Sequence, residues 1–402
     1  MRTIIRGNSI IYLLLIFILS IECIRGQIGA HYYVVPPYEG QDMLSRRMGG
    51  VTVALPDEVP QILGNPAGLA YIDKATFFLS MSHAESKLDF AEIESEQASS
   101  HTWSGSLVPG NAAVSLPLEL FWRRWVVAVA YNNRPSPEYN DETYIPPVKE
   151  LIELTNEREG QIGSASVGIG VELLHSLSLG IGWTKWFGEM KWSTIEALGD
   201  LFHTINRQTT DYNGSGWHAG VMGQAGRLSL GAVIYFPQEL VTGEGVPEGY
   251  YFTDDIAYEQ SLKFNGGFKG GVAYNPISSL TLGLGYSYRH GFIDQYRTGG
   301  DTLSEEYGSS TGLSGGIEYT LNLNKVHLPV YFGYFTSWMP EFPSFGDNGL
   351  VSISKDDRQR YSDRYSLGAG LIYGPFGLHL NAQWAQRSLT MSLASTLLPP
   401  WT

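Results

Sequence analysis

The chain has 402 residues and a mass of 44.4 kDa, long enough for two or three ordinary soluble domains. Only 16% of its residues are charged, against about 25% in an average soluble protein. It contains 47 Gly and 13% aromatic residues, too many rings for a disordered chain, and its formal net charge of −14 gives no electrostatic footprint for nucleic acid. The composition therefore favours a closely packed sheet with aromatic side chains on its surface.

Residues 1–26 have the pattern of a secretory signal peptide. Arg2 and Arg6 precede an unbroken apolar run over 10–19, which as a helix would cross only about half of a bilayer core. We expect cleavage after Gly26. Cys23 is the only cysteine, and a lipidation signal would need a small residue where Glu22 stands. The mature chain would then have neither disulfides nor thiol chemistry.

Strict alternation of apolar and small or polar residues recurs along the rest of the chain. Clear examples are 177–184, 280–289 and 376–384, where large apolar side chains alternate with Gly, Ser and polar residues. Period two with one apolar face is typical of half-exposed strands. No segment after the signal peptide reaches 18 apolar residues, so a helical membrane bundle is excluded.

The spacing of these segments predicts a transmembrane antiparallel β-barrel. Fourteen strands are expected, at 76–84, 110–117, 123–133, 161–173, 177–192, 216–225, 228–240, 260–274, 280–296, 312–321, 326–338, 365–373, 376–385 and 389–398. Long and short connections alternate between them, as in all-β outer-membrane barrels, whose short turns lie on one side of the membrane. The last strand is the weakest, because the chain ends Pro399-Pro400-Trp401-Thr402 rather than on an aromatic residue. A secreted soluble β-protein is the alternative.

Residues 27–75 do not alternate and carry two distinctive stretches, Met48–Glu58 and Gly64–Ala70. Here the chain resembles the FadL-like outer-membrane transporters of long-chain fatty acids and toluene, and the related PorV-like barrels. Both have a Gly-Gly-x-x-Val-Ala-x-x-Asp-Asp stretch followed by Asn-Pro-Ala-Gly-Leu. The sequence departs from that pattern at Pro56, Glu58 and Gly64.

The resemblance implies a fourteen-stranded barrel over 76–402, filled by an N-terminal hatch formed by 27–75. Asn65, Pro66 and Ala67 would lie in the hatch near the first strand, and hydrophobic substrates would pass it through small rearrangements. The residues themselves predict a fixed turn, because Pro66 biases Asn65 away from helix and Gly68 can adopt positive φ. Such a turn could also serve only to start the first strand.

Two loop segments show helical patterns. Ser193-Thr194-Ile195-Glu196 resembles a capping box and precedes an apolar helical face; Val148–Thr155 predicts a further helical turn. In the resemblance, the loop after the fifth strand contributes to an outer hydrophobic landing site, for which the candidates are Leu198, Leu201, Phe202 and Ile205. The alternative is an amphipathic helix folded onto the barrel mouth. The long loops are acidic, which indicates solvated rims, or divalent-cation bridges to lipopolysaccharide.

No catalytic, cofactor or metal motif is evident, so we expect no enzyme and no cofactor. Asp254-Asp255 with His290, or Asp356-Asp357 with His379, would be the places to look for a rim active site.

The leading hypothesis is passive transport of hydrophobic small molecules, such as long-chain fatty acids, across a Gram-negative outer membrane. The expected partners are outer-membrane lipid, lipopolysaccharide and the hydrophobic ligand, and not nucleic acid. The alternative is a PorV-like scaffold that docks proteins of a secretion system. An open porin is disfavoured, because the N-terminal segment is long enough to fill the bore. An apolar pocket against the hatch would favour transport over a scaffold.

Overall fold

A computed structural model describes residues 48–56, 62–82, 85–91, 98–104, 108–133, 139–144, 152–198, 202–242, 258–298, 301–307, 309–338, 361–373 and 376–387. The predicted signal peptide, the first part of the predicted hatch and the C-terminal Pro399–Thr402 lie outside these residues. Among the described residues, no helix is long and apolar enough to cross a membrane.

The described chain is almost entirely β-structure. Its first ten strands are β1 (Thr76–Ser82), β2 (Glu85–Ala91), β3 (Ala98–Ser104), β4 (Val108–Leu120), β5 (Arg123–Asn133), β6 (Tyr139–Tyr144), β7 (Ile152–Leu174), β8 (Leu177–Leu198), β9 (Phe202–Ala225) and β10 (Leu228–Tyr235). The remaining ten are β11 (Gln238–Thr242), β12 (Tyr258–Phe264), β13 (Gly267–Ile277), β14 (Leu280–Arg289), β15 (Phe292–Thr298), β16 (Asp301–Tyr307), β17 (Ser310–Leu323), β18 (Val326–Trp338), β19 (Tyr361–Tyr373) and β20 (Phe376–Arg387).

Eighteen of these strands form one antiparallel sheet, and β2 and β3 form a separate hairpin. Many strands pair with the next strand along the chain, but others pair across an intervening strand, as β5 does with β7, β10 with β13, β12 with β15 and β14 with β17. Three of the predicted strands are each divided by a two-residue break, at 236–237, 265–266 and 290–291. The breaks lie beside one another, because Tyr235 pairs with Gly267, and Gly267 with Arg289. The wall is therefore interrupted along one line across three neighbouring strands.

The predicted architecture is confirmed: the chain is an all-β, antiparallel transmembrane barrel with an N-terminal hatch. Each of the first thirteen predicted strands is present, and short turns join them at one end of the sheet, for example at 121–122, 175–176 and 226–227. The fourteenth predicted strand, 389–398, lies outside the described residues. Within the described part, β1 pairs with β4, and β20 pairs with β19.

The prediction of a helix after the fifth strand is wrong. Strand β8 continues to Leu198 and β9 begins at Phe202, with Leu198 paired to Phe202 and Ile195 to Ile205. The ladder with β7 and β9 gives the backbone of this segment partners on both sides, whereas a short isolated helix is only marginally stable in water. Leu201 lies outside the described residues, as do the first four residues of the predicted helical turn at 148–155. The rest of that turn belongs to β7.

Side-chain alternation divides the sheet into two chemically different faces. The outward face exposes large apolar side chains on nearly every strand, as a lipid-facing band requires. Representative members are Phe77, Leu116, Ile169, Ile181, Val221, Leu230, Leu284, Ile317, Phe332, Leu367 and Leu380. The inward face is rich in Gly and Ser near the short turns and aromatic further up. It encloses the hatch.

Candidate functional site: the hatch and the lumen above it

The hatch, here Met48–Pro56 and Ile62–Ile72, lies inside the barrel. Most of its apolar side chains are buried, among them Met48, Val51, Ile62 and Leu69. Its first half packs with Ala273 of the wall, and its second half packs against small apolar residues of β4 and β5. The hatch is therefore a part of the protein core rather than an appended tail.

The predicted turn is a short 3₁₀ helix, Pro66–Tyr71, capped by Asn65. Asn65 has extended backbone angles, φ −117° and ψ 101°, as its position before Pro66 favours. Its side-chain oxygen accepts a hydrogen bond from Ala67 N at 3.1 Å. Gly68 lies within the helix and does not adopt positive φ. Pro66 stands at the start of the helix, where a missing N–H is tolerated.

Asn65 joins three parts of the structure through one fully buried side chain. Its Nδ2 donates to Val53 O at 2.8 Å, which connects the two halves of the hatch. The same nitrogen donates to Val221 O of β9 at 3.1 Å, which connects the hatch to the wall. Both donors of the amide are thus used, together with its oxygen.

Inward-facing glycines make the room for this hatch. A Cβ at Gly180 would overlap the backbone of Pro66 and Ala67, and one at Gly220 would overlap the side chain of Asn65. A Cβ at Gly231 would overlap Val53 O. The small inward side chains that could suggest an open bore instead form a close-fitting cradle for the N-terminal segment.

Three wall side chains hold further carbonyl groups of the hatch. Ser178 Oγ donates to Ala67 O at 2.9 Å, and Tyr235 OH donates to Gly64 O at 3.2 Å. His218 Nε2 lies 2.7 Å from Ile62 O. Because a carbonyl oxygen can only accept, Nε2 carries the hydrogen.

An apolar cluster lies over the hatch on the side of the long loops. It contains one hatch residue, Val53, and aromatic and aliphatic side chains from the inward face of seven strands, β7–β12 and β15. These wall residues are Trp186, Tyr212, Val233, Tyr235, Leu240, Leu262 and Phe264, all buried, with Ile162 and Phe292 packed against them. The cluster has the apolar composition and the few polar groups of a binding region for hydrophobic molecules, and its side chains are packed against one another.

A cavity of about 50 Å³ lies beside the first half of the hatch, lined by Gly49–Val51 and Val53 and by wall residues of β13, β14, β17, β18 and β19. Three of its lining residues are cationic: Lys269, Arg289 and Arg364. Lys269 Nζ is 5.7 Å from the centroid of the Tyr235 ring, and Arg364 Cζ is 5.2 Å from that of Phe335. Val53 both lines this cavity and belongs to the apolar cluster.

The chain leaves the hatch at the short-turn end, where an ion-pair network fixes it to the wall. Arg124 of β5 pairs with Asp73, directly after the hatch, and its Nη2 lies 3.1 Å from Glu172 Oε2 of β7. Such partly exposed pairs contribute little stability individually. Their effect is to set where the chain passes from hatch to β1.

The sequence-predicted residues are not all brought together. Asn65, Pro66 and Ala67 lie at the centre of the barrel, whereas Leu198, Phe202 and Ile205 lie at the far ends of β8 and β9. His290 lies at the strand break and His379 on β20, while their proposed partners Asp254, Asp255, Asp356 and Asp357 fall outside the described residues. Across the described ranges, no three His, Cys, Asp or Glu side chains converge on a possible metal site.

The fold is that of FadL-type outer-membrane proteins. The chain is similar to the Pseudomonas putida toluene transporter TodX, with a TM-score of 0.53 and 12% identity over 82% of this chain and 88% of TodX. It is similar to the Ralstonia pickettii toluene transporter TbuX, with a TM-score of 0.52 and 11% identity over 87% of this chain and 97% of TbuX. A Pseudomonas aeruginosa FadL homologue gives a TM-score of 0.51 and 13% identity over 86% of this chain and 89% of its own. No protein-family model and no curated protein matches the sequence.

Proposed function

We propose that this protein is a passive transporter of hydrophobic small molecules in an outer membrane of the Gram-negative type. The observation that carries the proposal is the position of the apolar cluster. Trp186, Tyr212, Leu262 and Phe264 pack above the hatch, and Val53 of the hatch is a member of the same cluster. A hydrophobic molecule that dissolves among these side chains would rest directly on the hatch.

Transport requires the hatch to rearrange. The hydrogen bonds that attach it to the wall are few enough for a bound substrate to replace. The Ile62–Asn65 turn is held to the wall by a few hydrogen bonds from His218, Tyr235 and Asn65 itself. Each such bond contributes about 0.5–1.5 kcal/mol net. A substrate that gains apolar contacts can offset losses of this size without help from an energy source.

The substrate class within this proposal is an amphipathic anion such as a long-chain fatty acid. The three cations around the hatch cavity, Lys269, Arg289 and Arg364, support an anionic head group there, next to an apolar cluster for its tail. The TodX and TbuX structures are described as toluene transporters, so a neutral monoaromatic hydrocarbon is the competing substrate. Substituting Lys269 by Met would slow influx of palmitate but not of toluene if the anion is the substrate.

A reversible cross-link between hatch and wall tests the transport proposal. A Cβ at Gly168 would lie 2.8 Å from Ile62 Cγ1, the position that the sulfur of a cysteine at 62 would occupy. The pair Ile62→Cys/Gly168→Cys, with Cys23→Ser, is therefore expected to form a disulfide that fixes the hatch. Gly285→Cys/Ser314→Cys is the matched control within the wall, because a Cβ at Gly285 lies 3.8 Å from Ser314 Cβ, the usual separation in disulfides.

Influx of palmitate, toluene and glucose into proteoliposomes would be measured for each oxidised and reduced protein. The proposal expects influx of a hydrophobic solute that stops on oxidation of the hatch–wall pair and returns on reduction. The wall–wall pair should leave toluene influx unchanged; its two residues line the cavity proposed for an anionic head group, so it is a control for toluene and not for palmitate. Glucose should not enter in any of these states. Unchanged influx through the oxidised hatch–wall pair would show that the hatch does not gate the path.

A secretion scaffold remains the second candidate function. Its support is the length of β7, β8 and β9, at 23, 22 and 24 residues, about twice what an outer-membrane strand needs. These strands and β6 form an extension beyond the membrane on the side of the long loops, where a partner protein could bind. Absence of influx of any of the three solutes in the reduced, folded protein would favour this function.

A further inference from the structure

We propose that Tyr235, together with His218, couples occupancy of the apolar cluster to release of the hatch. The inference rests on the proposed transport function and adds to it the residues that would transmit the presence of a substrate. Its starting point is that Tyr235 is at once a member of the apolar cluster and a hydrogen-bond donor to the hatch.

Tyr235 and His218 form one bracket around the turn that precedes Asn65. The two rings stack with centroids 5.7 Å apart and planes inclined by 27°. Tyr235 OH donates to Gly64 O, and His218 Nε2 donates to Ile62 O, so alternate carbonyls of the turn are held by one stacked pair. Both side chains are buried, at 6% and 4% exposure. A displacement of either ring therefore disturbs both hydrogen bonds.

The bracket borders the apolar cluster on the side of the long loops, because Tyr235 belongs to both. Tyr235 packs there among side chains such as Leu262 and Phe264, and protein interiors of this kind are close-packed. A hydrophobic molecule can enter the cluster only if side chains move apart. Tyr235 is a wall member of the cluster that donates a hydrogen bond to the hatch. A molecule that displaces Tyr235 when it binds to the cluster would therefore also weaken the attachment of the hatch.

Ser178 offers the matched comparison. Its hydroxyl donates to Ala67 O at 2.9 Å, so it also holds a hatch carbonyl, but it belongs to no apolar cluster. Loss of this bond should loosen the hatch as much as loss of the Tyr235 bond. It should not alter the response to a hydrophobic molecule, because Ser178 does not touch the place where that molecule binds.

The test measures access to a single cysteine on the hatch in Cys23→Ser/Ile62→Cys, whose residue 62 is fully buried in the native protein. Labelling by a maleimide would be timed in proteoliposomes with and without palmitate or toluene, alone and combined with Tyr235→Phe or Ser178→Ala. Both substitutions should raise the rate without ligand by about five-fold, the effect of one lost hydrogen bond. The hydrophobic probes should accelerate labelling further in the parent and in Ser178→Ala, but not in Tyr235→Phe.

Equal acceleration by the probe in all three proteins would overturn the role of Tyr235. Palmitate and toluene influx would be recorded in the same vesicles, which separates the two proposals. Influx without any change in labelling would refute the coupling alone. Absence of both influx and a labelling response in the parent would refute the transport function, and the coupling with it.

Discussion

The central prediction concerns Asn65→Asp, which changes one atom of the residue that joins the hatch to itself and to the wall. The aspartate keeps the oxygen that accepts from Ala67 N, so the cap of the 3₁₀ helix is retained. A carboxylate cannot donate, so the bonds to Val53 O at 2.8 Å and Val221 O at 3.1 Å are both lost. It would also place negative charge against two carbonyl oxygens in a fully buried position.

The size of the effect follows from these contacts. Each buried acceptor that loses its partner costs about 1–3 kcal/mol, so the hatch should be destabilised by at least about 2 kcal/mol. That corresponds to an increase of at least ~30-fold in the population of the open hatch. Asn65 belongs to the hatch and is not a member of the β-ladder, whose strands pair through their own backbone groups, so the barrel itself should persist.

Liposome swelling in a small sugar measures this population, and heat-modifiable mobility on gels checks that the barrel is folded. Asn381→Asp is the control, since it makes the same chemical change at a half-buried inward position of β20. We expect sugar leakage from Asn65→Asp and none from the control. A folded Asn65→Asp barrel that leaks no more than the native protein would refute the assignment of Asn65 as the link between hatch and wall.

Two further predictions test the cradle and the lipid-facing surface. Gly231→Ala, whose Cβ would overlap Val53 O and lie 3.1 Å from Ala54 Cα, should displace the hatch and admit sugar in the swelling assay. Gly270→Ala on the neighbouring strand, whose Cβ would have Gly231 O as its nearest neighbour at 4.0 Å, should not; equal leakage from both would contradict the cradle. Leu284→Arg, at a side chain 64% exposed on the outward face, should lower the free energy of unfolding in vesicles by about 2–4 kcal/mol, and Leu323→Arg beside a short turn by only about 0–1. Equal losses in urea titrations would contradict the lipid-facing assignment.

The strands could be predicted from the sequence because their signal is local. Between Leu177 and Thr184, each apolar side chain is followed by a small or polar one, and lipid on one side and the hatch on the other require that alternation. The helix expected after Trp192 fails for the opposite reason. Its local capping pattern is outweighed by two long-range ladders, with β7 and with β9, that no short window of sequence contains.

The apolar cluster could not be assembled from the sequence. The alternation within β8 and β9 shows which residues share a face with Trp186 or with Tyr212. Whether that face points into the lumen or towards the membrane interface depends on the register of the strands and on their position along the barrel axis. Leu240, Leu262 and Phe264 come from strands whose breaks at 236–237 and 265–266 change the alternation. One signal of the cluster is present in the sequence of β8. Its inward-facing residues change from Gly180 and Gly182, beside the hatch, to Thr184 and Trp186 further along the strand, and this change marks the level in the barrel at which the hatch ends.

That change along β8 also bears on the choice between transport and scaffold. A barrel needed only as a rigid support could fill its lumen with any close-packed core, so the glycines at Gly180, Gly220 and Gly231 are consistent with both functions. The upper lumen is different, because its aromatic and aliphatic side chains close over the hatch turn that is held by few hydrogen bonds. Small inward side chains and a longer hatch would fill the upper lumen equally well, so packing alone does not require large apolar side chains at that position. A binding region for hydrophobic molecules directly above a hatch that can move accounts for these side chains. Transport would then require that a bound substrate can break the hydrogen bond from Tyr235 OH to Gly64 O.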